Sequence, residues 1–319
     1  MKAAVYNSYG PPHVVKLADL DVPVPKPSEM LIKVEATTVN RTDTGFRSAE
    51  YVVSRLFSGI IRPKFPVLGN EFAGYVVKAG AEVKEFKEGD RVFGYNDASF
   101  GAHAEYITVG ENDAVALIPD NLSYREAAPL TEGAHYALCD IRAAKVRPGQ
   151  DVLVYGATGA IGSAAVQLLR YFGAGVTAVC HTKHVGLVAS LGADKVIDYV
   201  NEDFTATEQR FDFIFDAVGK SSFGQCKRIL KPKGIYVSTE PGKNGENIYL
   251  AILKKFSGGK RVIFPIPSIT RHDVIFLGEL AKKGIFKPLI DRQYRLDEIV
   301  EAHRYVETGQ KTGNVVILP

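Results

Sequence analysis

Apolar and polar positions change rhythm twice along the chain. Over residues 1–122 the apolar segments are short and alternating, with Gly and Pro breaks between them. LIKVEATTV (31–39), FAGYVVKAG (72–80), DRVFGY (90–95) and AEYITV (104–109) read as strands, because a period of two turns one side of a pleated segment toward a core. Little helical periodicity is sustained here, so an all-β, barrel-like domain is expected. From residue 123 the pattern becomes βα alternation. SYREAAPLTEGAHYALCDIRAA (123–144) opens on a Ser cap and keeps helical spacing. DVLVYG (151–156), GVTAVC (175–180), KVIDY (195–199), FDFIFDAVG (211–219) and GIYVST (234–239) predict strands. SAAVQLLRYF (163–172), HVGLVASLG (184–192) and SFGQCKRIL (222–230) predict the helices between them. Such alternation builds a parallel sheet with helices on both faces, expected over residues 123–287. Residues 288–319 end in GNVVILP, a strand with no helix behind it, which is expected to return to the first domain and make it discontinuous.

Composition and charge remove several classes. Hydrophobic residues make up 46% and charged residues 24% of the 319, the balance of a soluble globular protein. A formal charge of +3 is too small to imply nucleic acid or an anionic membrane as partner. No apolar run approaches the roughly 20 residues that span a bilayer, and MKAAVYNSYGPP has neither the basic start nor the apolar run of a signal peptide. Cys139, Cys180 and Cys226 are scattered and odd in number, without metal-type pairing, so a reducing cytoplasm is the expected compartment.

The sharpest chemical signal is Tyr155-Gly156-Ala157-Thr158-Gly159-Ala160-Ile161-Gly162, placed after an apolar strand and before a helix. This is the setting of a dinucleotide-binding turn. Ala157 takes the first glycine position of the usual fingerprint, while Gly159 lets the backbone approach a pyrophosphate and Gly162 permits close packing of helix on strand. The expected helix begins at Ser163. NAD-binding versions place an Asp or Glu about 20 residues further on to hold the ribose 2′-hydroxyl. Here no acidic residue occurs between Ser163 and Ala193, and the second strand ends in Cys180-His181-Thr182-Lys183-His184. Lys183 would attract a 2′-phosphate and Tyr199 would add a hydroxyl donor, so NADPH is the expected cofactor.

Together MKAAVYNSYGPPHVV at the start, VNRTD (39–43), LGNEFAGYV (68–76), FKEGDRVFGY (86–95), GAHAEYITV (101–109), VRPGQDVLVYGATGAIGSAAVQLLR (146–170), LGADKVIDY (191–199), FDFIFDAVG and the terminal TGQKTGNVVI stand in a telling order and spacing. The chain resembles the medium-chain dehydrogenase/reductase family over nearly its whole length, and within it the zinc-free quinone oxidoreductases (zeta-crystallin-like). The resemblance implies an α/β protein with a GroES-like β-barrel catalytic domain (1–122 and 288–319), a Rossmann dinucleotide-binding domain (123–287) and a homodimer. It also implies cofactor contacts from Thr131, in the segment facing the cofactor, and from Val218, Gly219, Ser238 and Thr239 at strand ends. Lys311 and Asn314 are expected at the adenosine phosphate or ribose.

Departures from the zinc-dependent relatives point to the chemistry. Those enzymes carry a cysteine ligand where this chain has Asn40-Arg41-Thr42-Asp43, and a histidine where Asn70 precedes Glu71. Their four-cysteine structural lobe is missing, and Zn²⁺ needs about four N, S or carboxylate ligands, of which Glu71 and Glu132 persist. Without a strong Lewis acid, acceptors that stabilise negative charge themselves are favoured: quinones and α,β-unsaturated carbonyls. Asn40 is the expected donor to the carbonyl oxygen, with Asn70 as a second. Asp43 is the expected acceptor that fixes the loop, and Tyr51 or solvent the proton source. A metal-free carbonyl, alcohol or enoyl-thioester oxidoreductase and a non-catalytic NADPH-binding sensor or scaffold are the alternatives, because fold alone does not prove activity.

Overall fold

The alternation in LIKVEATTV becomes an eleven-residue strand, β3 (Glu29–Val39), around which the first unit of the protein is built. The structure is a computed structural model that describes residues 1–49, 55, 58–254 and 259–319. Tyr51 lies outside the described residues. Two compact units separate by their contacts, residues 1–132 with 269–319, and residues 133–268.

In the first unit β3 pairs antiparallel with β4 (Glu71–Ala79) and β6 (Tyr106–Gly110). Two register shifts against β4 bend it. β5 (Arg91–Tyr95) and β7 (Val115–Leu117) extend the sheet beyond β4. On its other side lie β14 (Ile290–Arg295) and β15 (Asn314–Leu318), giving the order β14-β15-β3-β4-β5-β7 with β6 on β3. The terminal strand does return: Val315 stands opposite Val39, so this unit is discontinuous. Met30, Ile32, Val34, Phe72, Val92 and Ile107 fill the core on one side. A second cluster, with Tyr6, Leu68, Phe100 and Ile317, seats the helix Ile299–Glu307 through Ile299 and Val306.

The second unit holds a parallel sheet of β8 (Asp151–Tyr155), β9 (Gly175–Cys180), β10 (Lys195–Asp198), β11 (Phe211–Asp216), β12 (Leu230–Ser238) and β13 (Arg261–Ile263). Their order, β10-β9-β8-β11-β12-β13, reverses direction between β8 and β11. A doubly wound sheet binds ligands beyond the carboxyl ends of its strands at such a point.

Three expectations shift. The helix expected over 123–144 is broken: Ser123 caps a short helix, Tyr124–Ala127, with Glu126 completing the capping box. Pro129 then leaves helical geometry, and a second helix runs Glu132–Ala144. The helix expected from Ser163 starts at Ala160 on Gly159 as N-cap, an end that no capping side chain announces. Contacts also put the unit boundaries after residues 132 and 268 rather than 122 and 287. Residues 124–127 pack on β3 and β4, and the helix Arg271–Lys282 packs on β7. The same helix also approaches β5, where a Cβ on Gly278 would lie 3.2 Å from the Phe93 ring.

Candidate active site

The nucleotide turn follows from its glycines. Gly156 leaves β8 with φ +81°, and its N–H and that of Ala157 both donate to Val179 O at 3.2 Å. Gly159 closes the turn by donating to Gly156 O at 3.2 Å and caps the helix at φ −69°, ψ 169°. A Cβ on Gly159 would meet nothing nearer than Gly156 O at 3.8 Å, so open space lies above the helix start. A Cβ on Gly162 would lie 2.1 Å from the same oxygen. Thr158, Gly159 and Ile161 are partly exposed around that space, whereas Ala157, Ala160 and Gly162 are buried beneath it. Unpaired N–H groups of a helix's first turn and its dipole suit a pyrophosphate. The residues present fit a dinucleotide.

Neighbouring strand ends complete this half. Val218 packs against Gly156, and its N–H donates to Asp216 Oδ1 at 3.1 Å. Gly219 follows at φ +63°. Thr239 N–H donates to Asp216 O at 3.1 Å and stays partly exposed. Ser238 is 2% exposed and accepts from Glu240 N–H at 3.3 Å, which turns its hydroxyl inward. At the end of β9, His181 meets the Tyr199 ring edge-on at 5.7 Å, and Lys183 is exposed beside it. Asp198 joins this group, accepting from Thr182 Oγ1 and Asn201 Nδ2 at 2.7 Å each. A search along the second strand does not find that carboxylate, because it stands at the end of the third.

The first unit gathers a buried polar cluster. Asn40 is the N-cap of the helix Arg41–Ser48: its Oδ1 accepts from Asp43 N–H at 3.0 Å, and Asp43 Oδ2 accepts from Asn40 N–H at 2.9 Å. Asp43 Oδ1 also accepts from Gly69 N–H at 3.0 Å, so this carboxyl ties two loops together. Burial raises its pKa, an effect that His103 and these N–H donors oppose. Asn40 Nδ2 donates to Asn70 Oδ1 at 2.9 Å, and Asn70 Nδ2 donates to Tyr95 Oη at 2.9 Å and Glu132 Oε2 at 3.3 Å. Thr42 Oγ1 donates to Glu132 Oε1 at 2.5 Å. Burial, with Glu71 second, pushes Glu132 up to about 8.

Asn40, Asp43 and Asn70 are therefore brought together, and Thr131, Asn314 and Lys311, expected at the cofactor, each have partners within the first unit. Thr131 is fully buried and donates through Oγ1 and N–H to Glu71 Oε1 at 2.8 and 3.0 Å. Asn314 is 4% exposed, and its amide donates to Leu289 O at 2.9 Å to start β15. Lys311 belongs to the polar cluster, within the fields of Glu132, Glu71 and Asp291, and burial lowers it to about 8. Thr42, Tyr95, Glu132 and Lys311 thus gain places in this cluster that were not expected of them. Two signals existed: Thr42 lies inside VNRTD, and Glu132 is an apolar-context carboxylate beside Thr131.

The cluster does not suit zinc. Both amide oxygens already accept hydrogen bonds, from Asp43 N–H and Asn40 Nδ2. Glu132 is surrounded by donors, and Lys311 places a cation where a metal would need an anion. Among the described residues no group of three or more His, Cys, Asp or Glu could hold a metal ion.

Residues 26–120 match the alcohol dehydrogenase GroES-like domain family, and residues 191–317 match the zinc-binding dehydrogenase family. The whole chain is similar to the 2-methylene-furan-3-one reductase of Solanum lycopersicum, at 35% identity over 100% of this chain and 79% of that protein. It is similar to the chloroplastic NADPH-dependent alkenal/one oxidoreductase of Arabidopsis thaliana, at 31% identity over 100% and 80%. Among solved structures, the quinone oxidoreductase from Coxiella burnetii superposes with a TM-score of 0.90 at 29% identity, covering 100% of this chain and 99% of that one.

Proposed function

Because the chain belongs to the quinone oxidoreductase-like branch of the medium-chain dehydrogenase/reductase family, we propose that it is an NADPH-dependent reductase of quinones and α,β-unsaturated carbonyl compounds, acting without a metal. One observation carries the reading. Where zinc relatives are expected to hold their metal, the Asn40–Asn70 hydrogen bond of 2.9 Å closes a carboxamide pair. NADPH, when bound, supplies the hydride. The turn from Gly156 to Gly162 holds its pyrophosphate, with Val218, Gly219 and Thr239 flanking the ribose and nicotinamide. Lys183 and Tyr199 take the 2′-phosphate, so NADPH is preferred over NADH. Asn40 turns its second amide hydrogen to the acceptor's carbonyl oxygen, where a dry, fixed donor is worth far more than one in water.

The test is oxidation of NADPH by metal-stripped protein against quinones, enones, aldehydes and simple ketones, with Asn40→Ala alongside. Turnover of quinones or enones is expected, with Asn40→Ala slower by about 10²-fold. NADPH binding without turnover of any acceptor would instead leave a sensor.

We further propose that the protein works as a homodimer in the cytoplasm. Among the described residues strand β13 ends the sheet order with one neighbour, and Ile252, Leu253 and Ile266 in the same unit are 69%, 70% and 86% exposed. Apolar side chains of that size, beside an open strand edge, are covered by a second copy. Sedimentation equilibrium should give a dimer for the wild type and a monomer for an Ile252→Lys, Leu253→Lys variant. A monomeric wild type would end this assignment.

A further inference from the structure

An amide donor serves a reaction best when it is already aimed, because nothing is then left to reorganise as charge develops. The Asn40–Asn70 pair owes its aim to the two chain segments that carry it, and one residue meets both segments from behind. His103, in GAHAEYITV (101–109), is 1% exposed.

On the Asn40 side, His103 Nε2 stands 2.7 Å from Thr38 O. A carbonyl oxygen only accepts, so the ring carries a hydrogen on Nε2 and donates it. Thr38 lies two residues before Asn40 at the end of β3, and its hydroxyl donates to Glu71 Oε2 at 2.6 Å. The strand end that leads into Asn40 is therefore gripped twice, at a carbonyl and at a side chain. On the Asn70 side, His103 N–H donates to Leu68 O at 2.9 Å and Ala102 N–H to Gly69 O at 3.0 Å. Gly69 takes φ +88°, and a Cβ there would lie 2.5 Å from His103 Cδ2 and 2.6 Å from His103 N. Glycine lets the ring come this close, and Asn70 is the next residue. Between the two sides lies Asp43, whose Oδ2 is 3.9 Å from His103 Nε2. That is beyond hydrogen-bond reach, so the ring backs this carboxyl while leaving its oxygens to Asn40 N–H and Gly69 N–H. The ring is itself wedged. His303, fully buried on the helix Ile299–Glu307, meets it edge-on with 5.9 Å between ring centres and 83° between planes.

We propose that His103 is a positioning residue of the reduction: seated on Gly69 and donating from Nε2 to Thr38 O, it locks together the segments that carry Asn70 and Asn40 and so aims the Asn40 amide at the acceptor's carbonyl oxygen. The inference rests on the reductase reading above. In this role His103 acts through Asn40 and touches no reacting atom. Its effect appears as negative charge gathers on oxygen in the transition state, so it belongs in kcat rather than in KM. Misplacing a group by about 1 Å can cost up to about 10²-fold. A ring that only filled space would act differently. It would set stability, and its loss would harm an enzyme without Asn40 as much as one that has it.

The experiment is a double-mutant cycle on full-length protein loaded with NADPH, with methyl vinyl ketone and benzoquinone as acceptors. Wild type, His103→Phe, His103→Gln, Asn40→Ala and the double variant of His103→Phe with Asn40→Ala are compared. Melting temperature and NADPH affinity are measured for each. His103→Phe fills the ring's place without a donor and should lower kcat by about 10-fold or more, with KM for the acceptor and NADPH affinity unchanged. His103→Gln carries an amide N–H as many bonds from the backbone as Nε2 and should recover most of that loss. In the Asn40→Ala background, His103→Phe should cost no more than a further factor of about 2, because the group it aims is gone. Losses that multiply in the double variant, or a His103→Gln as slow as His103→Phe, would overturn the positioning role. If His103→Phe fails to fold, His103→Asn, whose donor falls short of Thr38, replaces it in the cycle. Ring-nitrogen NMR of the wild type reads the tautomer directly: a hydrogen on Nε2 supports the bond to Thr38 O, and a hydrogen on Nδ1 alone overturns it. A wild type that reduces both acceptors while the losses multiply removes His103 from the reaction and leaves the reductase reading intact. A wild type that reduces neither acceptor overturns that reading and this inference with it.

Discussion

Gly162→Ala is expected to cost the protein about 10²-fold or more in NADPH affinity and to lower its melting temperature, through one added methyl group. The new Cβ would lie 2.1 Å from Gly156 O and 2.8 Å from Gly156 C, both backbone atoms of the phosphate turn. Neither can step aside as a side-chain tip would. Gly156 is fixed in turn by its bond to Val179 O and by Val218, whose Cγ1 is already where a Gly156 Cβ would go, at 2.5 Å. The helix from Ala160 must therefore move away from β8, which costs about 1–3 kcal/mol of overpacking and withdraws its first-turn N–H groups from the pyrophosphate. Gly186 supplies the contrast: a Cβ there would meet nothing within 4 Å, and its helical backbone needs no positive φ. Gly186→Ala should stabilise the protein by roughly 0.5–1 kcal/mol and leave affinity alone. Calorimetric titration with NADPH and thermal unfolding of both variants decide the matter. Wild-type affinity in Gly162→Ala would mean that the turn does not hold the cofactor.

That turn was readable because everything it needs lies within a few residues. An apolar strand, a glycine-rich break and a helix are local, and GVTAVC becomes Gly175–Cys180 without change of ends. Where the helix begins was less legible, since Gly159 has no side chain to cap with, and Ser163 instead donates to Ala160 O inside the helix. The N-terminal β unit was legible through alternation, and the returning last strand through the absence of a helix after it. The polar cluster was only half legible. Asn40 and Asp43 sit on one loop, and their reciprocal capping box is a short-range device. Lys311 comes within the field of Glu132 because β15 returns to β3 beside the chain that follows Pro129. No spacing in the sequence encodes that approach. The same return sets where Lys311 and Asn314 stand, so their position depends on a strand pairing rather than on local pattern.

Lys183→Glu should invert the cofactor preference, moving the ratio of NADPH to NADH affinity toward NADH by roughly 10²-fold. Removing an ammonium and adding a carboxylate next to a phosphate is worth about 2–3 kcal/mol at a surface site, where charges about 4 Å apart interact in a medium close to water. Lys183 is exposed, so its attraction to the 2′-phosphate is screened and the wild-type preference should weaken as salt is raised. The place is otherwise balanced. Asp198 carries a negative charge at the next strand end, held below the usual carboxylate range by hydrogen bonds from Thr182, Val200 and Asn201. Those donors keep the carboxylate turned into its own loop, and His181 and Tyr199 stand together beside it. The proposed choice between a phosphate and a hydroxyl at the ribose then rests on the sign of the charge at residue 183. Equal affinities of the wild type for NADH and NADPH, or an unchanged ratio in Lys183→Glu, would show that the 2′-phosphate is read elsewhere. A preference that shifts with both substitution and salt would place that reading at the end of β9.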